Sequence, residues 1–307
     1  CIEMNENPIH TQELYKEYDN KAVALKNLSL TIKSGEIFGL IGQNGAGKTT
    51  LMKILLGFSA PTRGNVEIYG KKNSVEFKTR IGYLPEKVMI HPFLTAFEFL
   101  YLCGKLYYLN KKNLKEKCNS VLERVGLGDK MNVKVGTFSK GMTQRLGLAQ
   151  AIIHEPDLLF LDEPGSGLDP LGMIELRNII LDEHKSRNAT IFINSHRLLE
   201  AEKLCSRIAI LHKGQMVASG SMNELTRTKN QINVRVETLN DSLQKYFATI
   251  GNQIQIEGNE ISFDPKESVD LKQIPVHIIQ NGGNILKYEI VNENLEEIFL
   301  RLTGGEK

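Results

Sequence analysis

The sequence predicts an α/β fold: a mainly parallel sheet covered by helices on both faces, with a helical insertion and a smaller α+β domain behind it. Three observations carry that expectation. The apolar runs Ile37–Ile41, "DLLFLDEP" and "TIFINSH" lack the alternation of a half-exposed strand and are separated by helical segments. That is the mark of parallel strands buried on both faces. Residues from about 86 to 155 read mostly as helix, and after about Arg227 the texture changes again.

In order, the opening segment reads as strands and turns up to "GEIFGLIGQNGAGKTTLMKILLGF". There an apolar strand enters a glycine-rich loop, and a helix follows with Leu51, Ile54 and Leu55 on one face and Gly57 placed to end it. A short strand spans about Asn65 to Tyr69. In the insertion, "LTAFEFLYLCGKLYYL" and "LKEKCNSVLERVGL" are helical, and Ser139 caps a further helix carrying Leu146, Ala149 and Ile153.

Strand–helix alternation then resumes, with helices at Leu171–Lys185 and Leu198–Cys205 and a hairpin in "RIAILHKGQMVASG". Beyond it come the strand "QINVRVETL", a helix at Asp241–Ile250 and the hairpin "IQIEGNEISF" turning at Gly258-Asn259. A helix over Leu271–Gln280, the strand "NILKYEI" and the helix "NLEEIFLRLTG" complete the order βαββαβ. That order is the one of a ferredoxin-like unit. The expected domains are therefore 1–228, with its helical subdomain at about 86–155, and 229–307.

Bulk properties exclude several classes. The 307 residues suffice for two domains, and 24% charged residues with a net charge of +2 show no basic excess that would point to nucleic acid. Lys111, Lys112, Lys115 and Lys117 read as a solvated helix face. Four scattered cysteines have no metal-ligand spacing and are expected to be free thiols. No apolar run approaches the roughly 18 residues of a membrane span.

The chemistry concentrates in four places. "GQNGAGKTT", residues Gly42, Gln43, Asn44, Gly45, Ala46, Gly47, Lys48, Thr49 and Thr50, fits a phosphate-binding loop between a strand and a helix. Its backbone N–H groups would wrap phosphates, Lys48 would neutralise their charge, and the Thr49 hydroxyl would ligate Mg²⁺. At a strand's carboxyl end, Asp162 and Glu163 suit one carboxylate that orients the metal and one that positions and deprotonates water. His196 ends another buried strand and is expected to donate to the terminal phosphate. Finally, the helix after Ser139 has a bare, dipole-positive first turn that attracts an anion.

Taken together, the phosphate loop, "FSKGMTQR", "LLFLDEP", "SGLDP" and "INSH" resemble, in order and spacing, the ATPase subunits of ABC transporters over about residues 10 to 225. The resemblance implies a phosphate-loop ATPase core that binds ATP and Mg²⁺ and pairs head to tail with a second copy or a paralogue. Ser139, Lys140, Gly141 and Met142 then form the signature segment that touches the partner's ATP, and Asp169 belongs to the adjoining loop. Lys140 stands where the family usually has glycine and Met142 where it has glutamine. Glu86 replaces the usual glutamine at the start of the insertion and is expected at the metal. Tyr18 matches the aromatic platform for adenine.

The resemblance further implies a separate integral membrane permease and a place at the cytoplasmic face of the membrane. Met89, Phe93 and Phe97 are the expected docking surface. "GYLPE", "FSKGM" and the ending "LEEIFLRLTG" resemble subunits serving exporters of drugs, antibiotics, polysaccharides, lipids or metal-related cargo. An import-type ATPase with a regulatory C-terminal domain is the alternative. A soluble relative acting on nucleic acid or ribosomes fits less, since neither a heptad insertion nor an internal repeat is present. In the last helix, Leu295, Ile298, Phe299 and Leu302 form an apolar stripe, expected to cover its own sheet or to lie against the core or a second subunit.

Overall fold

A computed structural model describes residues 7–72, 75–226, 230–266, 269–292 and 294–304. The chain divides into two compact units, Cys1–Ser221 and Met222–Lys307. The boundary expected after residue 228 falls within 227–229, outside the described residues, as does Cys1.

The first unit opens with strands β1 (Ile9–Glu17) and β2 (Val23–Ile32), and the buried strand β3 (Ile37–Ile41) leads through the glycine loop into α1 (Lys48–Leu55). Gly57, at φ +76°, ends α1 by turning into the left-handed region. Strands β4 (Arg63–Ile68) and β5 (Lys71–Lys72) complete an antiparallel sheet of order β2-β1-β4-β5. Strand β6 (Ile81–Leu84) precedes the insertion, whose helices are α2 (Ala96–Leu106), α3 (Lys111–Arg124) and α4 (Lys140–Ile152). Then come β7 (Leu158–Asp162), α5 (Pro170–Arg187), β8 (Thr190–Ser195), α6 (Leu198–Leu204), and the antiparallel pair β9 (Arg207–His212) and β10 (Gln215–Ser221).

The main sheet has the order β10-β9-β3-β8-β7-β6, parallel throughout except for the edge strand β10. β3, β7 and β8 are buried along their whole length, as expected for parallel strands with both faces covered. Helix α1 fills the space between the two sheets: its Leu51, Met52, Ile54 and Leu55 join Ile9, Leu14 and Leu25 on one side and Phe38, Phe160 and Phe192 on the other. The rings of Phe38 and Phe160 lie 5.8 Å and 5.5 Å from that of Phe192, typical of favourable aromatic pairs. In the insertion, α4 lies close on the end of β6 because Gly147 has no side chain. A Cβ there would stand 2.6 Å from Val88 and 2.8 Å from Leu84.

The second unit begins with α7 (Met222–Thr226) and continues as β11 (Asn230–Val236), α8 (Asp241–Ile250), β12 (Gly251–Glu257), β13 (Glu260–Pro265), α9 (Ile274–Gln280), β14 (Ile285–Asn292) and α10 (Leu295–Thr303). Its sheet has the order β12-β13-β11-β14 and every pairing is antiparallel, the ferredoxin-like arrangement. Ile232, Val234, Phe247, Phe263, Ile274 and Ile278 form its core. Helix α9 starts three residues later than the sequence suggests, at Ile274 with Pro275 in its first turn, where the missing N–H costs nothing. On α10, Leu295, Ile298 and Phe299 are buried, but Thr303 and not Leu302 completes the buried set. The Thr303 hydroxyl donates back to the Phe299 carbonyl, which makes its burial acceptable.

Candidate active site

The site lies at the carboxyl ends of neighbouring parallel strands, where open α/β sheets bind ligands. β3 runs into the phosphate loop, β7 ends at Asp162 before Glu163, β8 ends at Ser195 before His196, and β6 ends two residues before Glu86. The parallel register pairs Ile41 with Ser195 and Asp162 with Asn194, so these ends come level.

The phosphate loop is held by backbone geometry. Gly47, at φ +108°, occupies the N-cap of α1 and offers no side chain to its N–H groups, which leaves them for an anion. A Cβ on Gly47 would stand 2.4 Å from the Ala24 carbonyl oxygen, so only glycine fits. Lys48 folds back under the loop: its Nζ donates to the carbonyls of Gly42 at 2.7 Å and Gln43 at 3.1 Å. Asn44, Gly45, Gly47, Thr49 and Thr50 line a cleft of about 260 Å³ together with Lys48, Glu86, Glu163 and His196. Ala46 is buried beneath it.

Charges are concentrated there. Lys48 Nζ lies 4.0 Å from Glu163 Oε1. Burial pulls the Lys48 ammonium below its usual range, against the opposing pull of Glu163, Asp162 and Glu86. Burial likewise pushes the Asp162 carboxyl up. A hydrogen bond from Asn194 and the charge of Lys48 oppose this, while the negative charges of Glu163 and Glu86 add to it.

Glu163 is 8% exposed, and its Oε2 meets His196 Nδ1 at 2.8 Å. An ionised carboxylate only accepts, so His196 Nδ1 carries the proton in this contact. The sequence places His196 as a donor to phosphate. In the geometry found, its Nε2 can donate at the same time only as the imidazolium.

Tyr18 stands outside the cleft lining. It is 40% exposed, with its hydroxyl 3.1 Å from Thr50 Oγ1 and Lys16 Nζ 5.2 Å from its ring centroid. Ser139, Lys140, Gly141 and Asp169 line a second cleft of about 330 Å³ that shares no residue with the first. The first turn of α4 is less bare than the sequence suggests, because Ser139 Oγ accepts the Met142 N–H at 3.2 Å. Asp169 caps α5 by accepting the Gly172 N–H at 2.8 Å. The Lys140 side chain runs across Gly167, at φ +68°, occupying the space a Cβ would need. Of the expected docking residues, Met89 and Phe93 are exposed at 92% and 72%, while Phe97 is half-buried and stacks on Tyr101.

Sequence reasoning missed Asn194, whose Nδ2 donates to Asp162 Oδ1 at 2.5 Å. The available signal was a lone amide inside the apolar run "TIFINSH". Among the described residues, no helix is long and apolar enough to cross a membrane.

The family model described as ABC transporter matches residues 25–166. An uncharacterized ABC transporter ATP-binding protein of Nostoc sp., all4389, is 40% identical over 95% of this chain and 88% of its own. The bacitracin transport ATP-binding protein BcrA of Bacillus licheniformis is 36% identical over 97% of each chain. The linearmycin resistance ATP-binding protein LnrL of Bacillus subtilis is 32% identical over 96% of this chain and 98% of its own. A solved ATP-binding subunit of an ABC transporter superposes with a TM-score of 0.64 at 30% identity, covering 71% of this chain and 92% of that one. The chain belongs to the ATP-binding subunits of ABC transporters, and its activity is ATP hydrolysis.

Proposed function

We propose that this subunit binds ATP with Mg²⁺, closes head to tail on a second copy or a paralogue, and drives a separate membrane permease that exports its cargo. The observation that carries this reading is the gathering of Lys48, Glu163 and His196 in one cleft while Ser139 and Gly141 line another. A helix end prepared for an anion but separated from the phosphate loop of its own chain is half of a site.

In this scheme the phosphate-loop N–H groups and Lys48 hold the β- and γ-phosphates. Glu163 takes the proton of the attacking water, and His196 orients the Glu163 carboxylate. The Ser139 hydroxyl and Gly141 N–H of the second copy meet the γ-phosphate, with Lys140 and Met142 beside them and Asp169 on the adjoining loop. Tyr18 stacks on adenine, using its exposed ring. Thr49 and Asp162, with Glu86 nearby, are the groups that would hold the metal. Among the described residues no group of three or more His, Cys, Asp or Glu is gathered as a cage. Mg²⁺ takes one or two carboxylates and completes its shell with phosphate and water. When bound, it neutralises charge developing on the phosphates.

The export direction is supported by the relatives named for bacitracin transport and linearmycin resistance. The exposed Met89 and Phe93 are the surface offered to the permease, which would hold the subunit at the cytoplasmic face of the membrane. Residues 229–307 form an accessory domain.

Sedimentation of the Glu163→Gln variant tests this reading. ATP should drive its association, and adding Ser139→Arg should abolish that association while nucleotide binding to the single chain persists. Association that is unchanged by Ser139→Arg refutes the half-site.

A further inference from the structure

Asn194 is 1% exposed and stands opposite Asp162 in the parallel register of β7 and β8. Its side chain and its main chain hold different acids. Nδ2 donates to Asp162 Oδ1 at 2.5 Å, and the backbone carbonyl accepts the Glu163 N–H at 2.8 Å. The orientation of the amide follows from its neighbour: an ionised carboxylate has only acceptors, so the NH₂ end must face it.

The other end of the amide is unaccounted for. Asn194 Oδ1 is buried and has no hydrogen-bond partner among the described residues. A buried carbonyl left unpaired is costly, and the strand around it, Thr190–Ser195, is otherwise mostly apolar. An aliphatic side chain would avoid that cost, yet an amide stands here, beside the carboxylate read as orienting the metal. A hydrated divalent cation would supply the missing partner, because Mg²⁺ keeps several of its waters and each has protons to donate.

We infer that Asn194 is a positioning residue of the metal site: its NH₂ fixes the rotation of the Asp162 carboxylate, and its carbonyl accepts a hydrogen bond from a metal-bound water. The inference rests on the reading of Asp162 as the metal-orienting acid. Outer-shell partners of this kind change metal affinity by about 10–100-fold when removed.

The test uses the full chain and a fluorescent, non-hydrolysable ATP analogue, with Mg²⁺ as the titrant and Asp162→Asn as the reference. Asn194→Leu keeps the branched shape and removes the amide, while Asn194→Ser covers the case in which the bulkier leucine disturbs the strand. Both should raise the Mg²⁺ midpoint for analogue binding by about tenfold or more, with metal-free affinity within about twofold of wild type. A wild-type Mg²⁺ midpoint in both variants overturns the inference. So does a loss of metal-free affinity equal to the loss with metal, the sign of a merely structural amide. A wild-type chain whose analogue affinity ignores Mg²⁺ overturns the metal reading itself, and this inference with it.

Discussion

Glu163 holds its backbone at φ +47° while its Oε2 meets His196 Nδ1 at 2.8 Å. A non-glycine residue in the left-handed region is strained, and such strain persists only where surrounding contacts over-determine it. Here the Glu163 N–H is tied to the Asn194 carbonyl at 2.8 Å, and the carboxylate is gripped by His196. The acid is thereby aimed into the cleft instead of following the line of β7.

Glu163→Gln should therefore keep ATP binding and cut turnover by about 10²–10⁴-fold, the usual worth of a general base. His196→Ala should lower kcat while leaving nucleotide affinity near wild type, because it frees the carboxylate without touching the phosphate loop. Steady-state hydrolysis and equilibrium binding separate the two effects, and wild-type turnover in Glu163→Gln would remove the assignment.

Gly47 and Gly45 both have positive φ but differ in surroundings. A Cβ on Gly47 would stand 2.4 Å from the Ala24 carbonyl oxygen, whereas one on Gly45 meets nothing within 4 Å. Gly45→Ala should cost only the left-handed conformational penalty, about 1–2 kcal/mol. Gly47→Ala should be more destabilising and should abolish nucleotide binding, since a backbone carbonyl cannot yield. Paired thermal melts and nucleotide titrations check the difference.

Glu86 adds negative charge to Asp162 and Lys48. Glu86→Gln should support hydrolysis, since it retains a polar oxygen near the metal. Glu86→Ala should leave an ATPase that no longer drives transport in vesicles containing the permease. Full transport by the alanine variant would remove the coupling role.

His154 reports on stability in acid. Its ring stacks on Tyr107 at 3.7 Å between centroids and its Nε2 lies 3.0 Å from the Ile81 carbonyl oxygen. Burial is the main cause that pulls its pKa from 6.5 to about 4; the Ile81 contact opposes this, and the positive charges of Lys117 and Arg187 reinforce it. The unfolded chain therefore takes up this proton first. The stability contributed by the neutral ring is present above about pH 6.5 and is lost as pH falls toward about 4. At pH 5 the loss should be about 2 kcal/mol, from roughly 1.5 units at 1.36 kcal/mol each. Denaturant unfolding of His154→Phe, which keeps the stack but cannot titrate, should show a correspondingly smaller fall between about pH 7 and pH 5.

The sequence by itself determined the features that depend on near neighbours along the chain. The strand–loop–helix of "GQNGAGKTT" follows from an apolar run, glycines and an apolar helix face, all within a few residues. Helix α8 occupies Asp241–Ile250 as its pattern indicates, and the hairpin turns at Gly258, whose φ of +62° suits glycine. Motif order likewise led to the family, because each motif is a local signature of a shared chemistry.

Tertiary structure decided what depends on strand order and register. The sheet order puts β8 between β3 and β7, so Lys48 and Glu163 meet at 4.0 Å across a long stretch of sequence. Only the register could show that Asn194 faces Asp162, because an amide in an apolar run has no partner written beside it. The proton on His196 Nδ1 follows from the carboxylate it meets, which the sequence spacing does not place. The separation of the Ser139 and Lys48 clefts is also a property of the folded chain. Periodicity acts over a few residues, whereas these pairings are set by which strands lie side by side and how far each is shifted along its neighbour.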